Sequence, residues 1–343
     1  MKDKYATALE RALYNWYYGE NGADPEPVFN AMSQGAEHGM QCLIPIETPE
    51  ELLQQLLEAE NLQDGMSFTI NEELPISFQH LVVDEEGHYL IPIFTSSEQL
   101  NVGGEGSAAI NQSFGELLDS LDQWPDCLGY VVNPFTNKIM VDRKIREKIR
   151  NFQPKSHVAF VQGSVLDLHV DAVVNSAHKT LLGGVAVDEV LLEAGEVDES
   201  MLCGGGLNGA IHAAAGQELF DECKTLGGCL PGDAKITKAY GISYDDYIIH
   251  AVGPFFRNEE EDEKLLAACY TKALDLAAEH GCTSIAIPSI SAGANGFPMG
   301  KVAPVAVISV VEWFEAHPDV VMNVYLCANT PNEYKSYLRM VKQ

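Results

Sequence analysis

Two glycine-rich stretches are the places in this 343-residue chain where the main chain itself could do chemistry. The first, Cys203-Gly204-Gly205-Gly206-Leu207-Asn208, directly precedes a segment that puts Leu207, Ala210, Ile211, Ala214, Ala215 and Leu219 on one helical face. Glycines let the backbone approach a ligand closely, and a helix start offers unpaired N–H groups to an anion. The same glycines also read as a flexible connection before a core helix. The second stretch, Ser289-Ile290-Ser291-Ala292-Gly293-Ala294-Asn295-Gly296-Phe297-Pro298, follows the apolar strand Ser284-Ile285-Ala286-Ile287-Pro288. Ligands of open α/β sheets collect at the carboxyl ends of strands, and small residues there expose successive N–H groups to an anion. Phe297 would offer an aromatic face to a sugar or base, although a tight strand-to-helix loop also fits these residues. Neither stretch runs into the Gly-Lys-Ser/Thr of a P-loop. Two such loops in one domain favour a phosphate ligand.

Regular elements must position these loops. From residue 156 onward the pattern alternates. Strands are expected at Val158–Gln162, Ala172–Asn175, Ala234–Ala239, Tyr247–Ala251, Ser284–Ser289 and Val321–Cys327. Helices are expected at Asn208–Leu226, Glu263–His280, Val302–Ala316 and Pro331–Val341. That alternation argues for an α/β domain with helices on both faces of a sheet. The first part reads as α+β. It has helices at Thr7–Tyr18, Pro27–His38, Glu50–Glu60 and Ser113–Leu121, and strands at Gln41–Ile46 (interrupted by its Pro), His88–Phe94 and Leu128–Asn133. Val141, Ile145, Ile149 and Phe152 mark a further helix, ended by Asn151-Phe152-Gln153-Pro154. The expected domains are therefore 1–152 and 153–343, in line with about 150 residues per domain.

Composition bounds the function. An apolar fraction of 46% with 21% charged residues suits packed cores rather than disorder. The net charge is -29, and no Lys or Arg occurs between Arg11 and Lys138 while 21 Asp and Glu do. A nucleic-acid backbone or an anionic membrane surface needs the opposite sign, so neither is an expected partner. No run of 18 apolar residues suggests a membrane span. Met1–Ala6 leads into an amphipathic stretch, so no secretory signal is expected. Eight scattered cysteines do not form a disulfide framework. Reduced thiols and a cytoplasmic address are expected.

Five blocks carry a family resemblance. They are Val161-Gln162-Gly163-Ser164-Val165; Val170-Asp171-Ala172-Val173-Val174-Asn175-Ser176-Ala177; Gly205–Gly216; Ile248-Ile249-His250-Ala251-Val252-Gly253-Pro254; and Ser284–Pro298. In this order over residues 156–343 they resemble a macrodomain. The resemblance implies a three-layer α/β/α fold with a mixed sheet that binds ADP-ribose or an ADP-ribosylated protein, and in some members hydrolysis of the ADP-ribose linkage. It places ligand contacts at Ser164, Val165, Asn175, Gly204, Gly205, Gly206, Leu207, Asn208 and Ser291–Phe297, with Ala292, Gly293, Ala294, Asn295 and Gly296 in the phosphate loop and Asn175 near the distal ribose. It calls for no cofactor. The first domain is similar to the SseB family through Leu43-Ile44-Pro45, Ile91-Pro92-Ile93-Phe94-Thr95-Ser96 and Gly129-Tyr130-Val131-Val132-Asn133-Pro134, which points to a protein-interaction role.

Three positions depart from the macrodomain pattern. Ser164 stands where many members carry the Asp that accepts from the adenine amino group. His178 replaces the second Asn of Asn-Ala-Ala-Asn. Its imidazole could act as base or acid near neutral pH, or sit inert at a strand end. Asn208 replaces an Asp that in one hydrolase branch helps activate water, and an amide cannot take a proton at pH 7. About 20 residues are inserted between Leu182 and Cys203. They include Asp188 and Glu189, and either could supply a carboxylate beside His178. A surface hairpin or short helix is the other reading of the insert. Cys203 and His178 lack the close Cys/His spacing of a zinc site, so no metal is expected.

Overall fold

A computed structural model describes residues 3–18, 25–47, 77–102, 108–183, 205–242 and 245–340. These residues group into two compact units that divide in sequence at Pro154–Lys155.

In the first unit, helices α1 (Lys4–Tyr18) and α2 (Glu26–Glu37) precede strands β1 (Gln41–Glu47), β2 (Ser77–Phe78), β3 (Leu81–Val82) and β4 (Tyr89–Ile93). Next come α3 (Ser97–Asn101), β5 (Ala109–Ser113), α4 (Phe114–Ser120), β6 (Cys127–Val132), β7 (Ile139–Asp142) and α5 (Arg143–Asn151). One sheet has the order β2-β1-β5 and the other β3-β4-β6-β7. Leu9, Leu13, Met32, Ile44, Ile93, Phe114 and Tyr130 meet in a single apolar core. The expected break of β1 at its proline does not occur, because Pro45 pairs in register with Ala109. The last helix starts at Arg143 rather than Val141. Val141 and Asp142 belong to β7, and the Asp142 carboxylate caps the helix by accepting from Ile145 N–H at 2.7 Å. The helix expected at Glu50–Glu60 lies outside the described residues.

The second unit contains β8 (His157–Gln162), β9 (Ala172–Ser176), α6 (Gly206–Ala215), α7 (Gln217–Leu226), β10 (Ala234–Lys238) and β11 (Tyr247–Ala251). It continues with α8 (Glu260–Glu279), β12 (Ser284–Pro288), α9 (Met299–Ala316), β13 (Asn323–Ala328) and α10 (Pro331–Leu338). The six strands lie in the order β10-β11-β9-β12-β13-β8, with β10 antiparallel to β11 and the other pairs parallel. The sheet is therefore mixed. Side chains alternate across it as strand geometry requires. Val174, Ile249, Ile285, Ile287, Val324 and Leu326 pack with α8 and α9 on one face. Val173, Ile248, Ala286 and Tyr325 pack with α6 and α7 on the other. This is the layered α/β/α arrangement.

The helix expected over Asn208–Leu226 is two helices. Gly216 adopts φ 83°, a conformation that ends α6 and re-aims the chain into α7. The described cysteines are buried thiols and form no disulfide. No described helix is long and apolar enough to cross a membrane.

Asp171 ties three strands together at their amino ends. Its carboxylate accepts from Thr283 N–H, Thr283 Oγ1, Ser284 N–H and Ser284 Oγ at 2.6–3.1 Å, which fixes β9 against β12. Its carbonyl accepts from Asp246 and Tyr247 N–H, both at 3.0 Å, which fixes β9 against β11. Replacing Asp171 with Ala strands four donors, two on buried Ser284 and two on half-buried Thr283. Hydrogen bonds to charged groups contribute about 1.5–3 kcal/mol each, non-additively. Asp171→Ala is expected to lower the unfolding free energy by about 3 kcal/mol, measured as a shift of the urea midpoint.

Candidate functional site

The parallel strands bring the carboxyl ends of β8, β13, β12, β9 and β11 into one row, and the two glycine-rich stretches emerge there. The loop after β12 is anchored from below. Tyr270 Oη accepts from Ile290 N–H at 3.2 Å, and Tyr337 Oη lies 3.2 Å from Ser289 Oγ. Ser291 is buried at φ 64°, a left-handed turn for a residue with a side chain. Phe297 N–H returns to Ser291 O at 3.0 Å, and Gly296 N–H to Gly293 O at 2.9 Å, which closes the loop on itself. Asn295 Nδ2 donates to Gly253 O at 2.8 Å and pins the loop to the end of β11. Gly253 allows that approach, because a Cβ there would lie 2.0 Å from Ser291 Oγ. Among the described residues the N–H groups of Gly293, Ala294 and Asn295 carry no hydrogen bond. Gly293 and Ala294 are exposed. These three consecutive donors are available to an anion.

The other glycine-rich stretch leads into α6. Gly205 and Gly206 are exposed, with Gly206 at φ 72°, and no side chain caps the helix. Its first N–H groups therefore remain open to a ligand. Gly204, Cys203, Asp188 and Glu189 lie outside the described residues.

Asn208 sits in the first turn of α6 over the end of β9. Asn175 Nδ2 donates to Asn208 Oδ1 at 2.8 Å, and Asn208 Nδ2 donates to Gly183 O. Asn175 is fully buried, so its side chain supports Asn208 from behind instead of facing an open cleft. His178, just past β9, is half-buried, with Nδ1 2.9 Å from Thr180 Oγ1. Burial, with a contribution from Lys179, holds its imidazole below the ordinary value, so it is neutral at pH 7.

Two expected contacts are corrected. The Phe297 ring is 2% exposed and packs against Phe256 at 4.9 Å between centroids, so it belongs to the core and offers no face to a ligand. The Val165 side chain is likewise core, at 1% exposure. Ser164 begins a single turn at the end of β8. Its hydroxyl accepts from Leu166 N–H, and Asp167 accepts from Ser164 N–H at 2.7 Å.

Sequence reasoning missed two buried histidines. His250 lies opposite Asn175 in the β9–β11 register, and His212 lies on α6 with its ring 6.1 Å from that of His250. A polar residue inside the apolar run Ile248-Ile249-His250-Ala251 is the available signal, since buried polar groups need partners. His212, Cys223 and His250 bring ligand-type atoms within 4.8 Å of one another. The donor set does not fit a metal. His250 Nδ1 accepts from Asn175 at 3.1 Å and Nε2 lies 3.0 Å from Thr237 Oγ1, so neither nitrogen has a free lone pair. Burial pushes the Cys223 thiol up to about 12, so it keeps its proton.

A sequence profile described as Macro domain matches residues 174–306. A macro domain-containing protein of Methanosarcina mazei is 39% identical over 194 residues, which span 56% of this chain and 92% of that protein. The chain belongs to the macrodomain family. An ADP-ribose glycohydrolase of Mus musculus, MACROD1, is 35% identical over 61% of this chain, and the match spans 57% of that enzyme. The crystal structure of a Trypanosoma brucei macrodomain in complex with ADP-ribose is 33% identical, with a TM-score of 0.45, over 54% of this chain and 69% of that one. The profile match begins at Val174, inside β9 of the macrodomain, and ends within α9.

The buried imidazoles give the macrodomain an acid-sensitive core. Burial lowers His212 to about 4 and His250 to about 3. The unfolded chain binds these protons near pH 6.5 and the folded chain does not, so stability is full above that pH and falls below it. Between pH 7 and 4.5 the unfolding free energy is expected to drop by roughly 2 kcal/mol for each buried imidazole. Urea melts at the two pH values check this, and His212→Gln should flatten the dependence.

Proposed function

We propose that the macrodomain binds ADP-ribose, free or attached to protein, with its diphosphate between the Gly205–Asn208 turn and the Ser291–Gly296 loop. One observation carries this reading: three consecutive unbonded N–H groups at Gly293, Ala294 and Asn295 stand at the carboxyl end of a central strand. The glycohydrolase named above supports the choice of ligand. The distal ribose lies toward Asn208 and His178, and no cofactor takes part. Ser164 relaxes the preference for adenine, because it brings no charge to the base.

Binding dominates over turnover. The Asn208 carbonyl already accepts from Asn175, and an amide takes no proton at neutral pH. His178, just past the end of β9 and neutral at pH 7, is the remaining candidate base. The chain thus acts as a reader of ADP-ribosylation with slow release of the group. The first unit is an SseB-like domain whose acidic surface suits a basic protein partner, and the whole works in the cytoplasm.

Gly293→Glu tests the binding site. A Cβ at Gly293 meets no atom within 4 Å, so the fold accepts a side chain there while the added carboxylate opposes the diphosphate. Calorimetric titration is expected to show at least a hundredfold weaker binding of ADP-ribose at an unchanged melting temperature. Wild-type affinity in this variant would place the ligand elsewhere. Parallel titrations with AMP and ADP measure the preference for the distal ribose. Release of ADP-ribose from a modified protein should be slow, should rise with pH through a midpoint below 6.5, and should vanish in His178→Ala. Fast wild-type release lost only in Asn208→Ala would overturn the reader assignment.

A further inference from the structure

A line of side chains runs from the core of the second unit to Asn208. Thr237 Oγ1 on β10 donates to Lys238 O at 3.2 Å. His250 Nε2 on β11 lies 3.0 Å from that same Oγ1. Asn175 Nδ2 on β9 lies 3.1 Å from His250 Nδ1 and 2.8 Å from Asn208 Oδ1. Asn208 Nδ2 donates to Gly183 O.

The hydrogens along this line run in one direction only. Gly183 O can only accept, so Asn208 turns its NH2 to it and its carbonyl to Asn175, whose NH2 then faces His250 Nδ1. The Thr237 hydroxyl fits the same order when its one hydrogen is on Lys238 O and its oxygen accepts from Nε2. His250 Nε2 therefore carries the imidazole hydrogen, and Nδ1 is a bare acceptor. A bare Nδ1 requires Asn175 to turn its NH2 toward it. The other hydrogen of that NH2 requires Asn208 to turn its carbonyl inward. The Asn208 NH2 is then left on the outer side, with one hydrogen on Gly183 O and the second free for a ligand. In the opposite tautomer each amide would have to reverse to keep its partner. Cys223 Sγ, 3.7 Å from His250 Nε2, is a second and weaker partner that can accept from the same N–H. Every member of the line from Thr237 to Asn175 is buried, so water does not scramble the order.

We propose that His250 is a positioning residue which, through Asn175, fixes the Asn208 amide so that it meets the bound ligand as a hydrogen-bond donor. The ligand must then present an acceptor oxygen to Asn208, such as a ribose hydroxyl or a phosphate oxygen. This rests on the reading that the ligand lies against Asn208.

The full chain tests it without and with ligand. Long-range 1H–15N spectra of the unliganded wild type are expected to show His250 as the Nε2–H tautomer. His250→Asn keeps an acceptor near the place of Nδ1, and His250→Gln moves its polar atoms to the place of Nε2. The side-chain amide signals of Asn175 and Asn208 should move in His250→Gln and return toward wild type in His250→Asn. ADP-ribose affinity should fall about tenfold in His250→Gln and stay within about twofold in His250→Asn. In an Asn208→Ala background, His250→Gln should cost no further affinity. An Nδ1–H tautomer in the wild type, equal losses in the two His250 variants, or additive losses in the double variant would each overturn the proposal. A wild type that leaves ADP-ribose unbound sinks the nucleotide reading alone, and the spectra still decide the role of His250.

Discussion

The Asp171 carboxylate is the constraint on which the second unit depends. It sits at the amino end of β9 and collects four donors from the start of β12, while its own carbonyl collects two from the start of β11. Three parallel strands are thereby started level. Four residues on, about 13 Å along the strand, that levelling puts Asn175 opposite His250. A slip of one residue would turn both side chains to the opposite layers and leave Asn208 without its support. The polar work at the top of the sheet is thus prepared by a buried charge at the bottom.

Two kinds of interaction then divide the labour around the cleft. Main-chain N–H groups at Gly293, Ala294 and Asn295 carry no hydrogen bond among the described residues. They carry no titratable charge, and the loop's own hydrogen bonds hold them in place. Side chains face inward, where Asn175, His250 and Thr237 bond to one another away from water and Asn175 Oδ1 is left without a partner. Binding of an anion by preformed backbone donors needs little reorganisation, which suits recognition. Proton transfer needs a group that can change its charge, and the Asn208 amide does not do so.

Much of this was legible in the sequence, for reasons that differ from element to element. The alternation of apolar strands with amphipathic helices marks the layers, since the central strands β9, β11, β12 and β13 are largely buried, and the small residues at 291–296 mark the loop. The break at Gly216 was hidden, because one glycine inside an apolar periodicity looks like a tolerated defect until its φ is known. Strand β7 escaped notice because it runs directly into a helix, and Asp142 serves as the last residue of one and the cap of the other. Phe297 was read outward from its place in the loop, yet the turn at Ser291 directs its ring to Phe256. His250 carried a signal that was available: a titratable side chain in the middle of an otherwise apolar strand.

The two glycine-rich stretches, as walls of the proposed site, are rooted in different cores. Ile290 and Phe297, at the base of the β12 loop, pack in the layer with α8 and α9, whereas Leu207 and Ile211, at the start of α6, pack in the layer with α7. The sheet stands between them as a spacer of fixed thickness. Substitutions that repack one layer can therefore move one wall while the other stays in place. For a lineage exploring new ligands this amounts to two separate adjustment screws on the proposed site, each of which can be turned without disturbing the sheet.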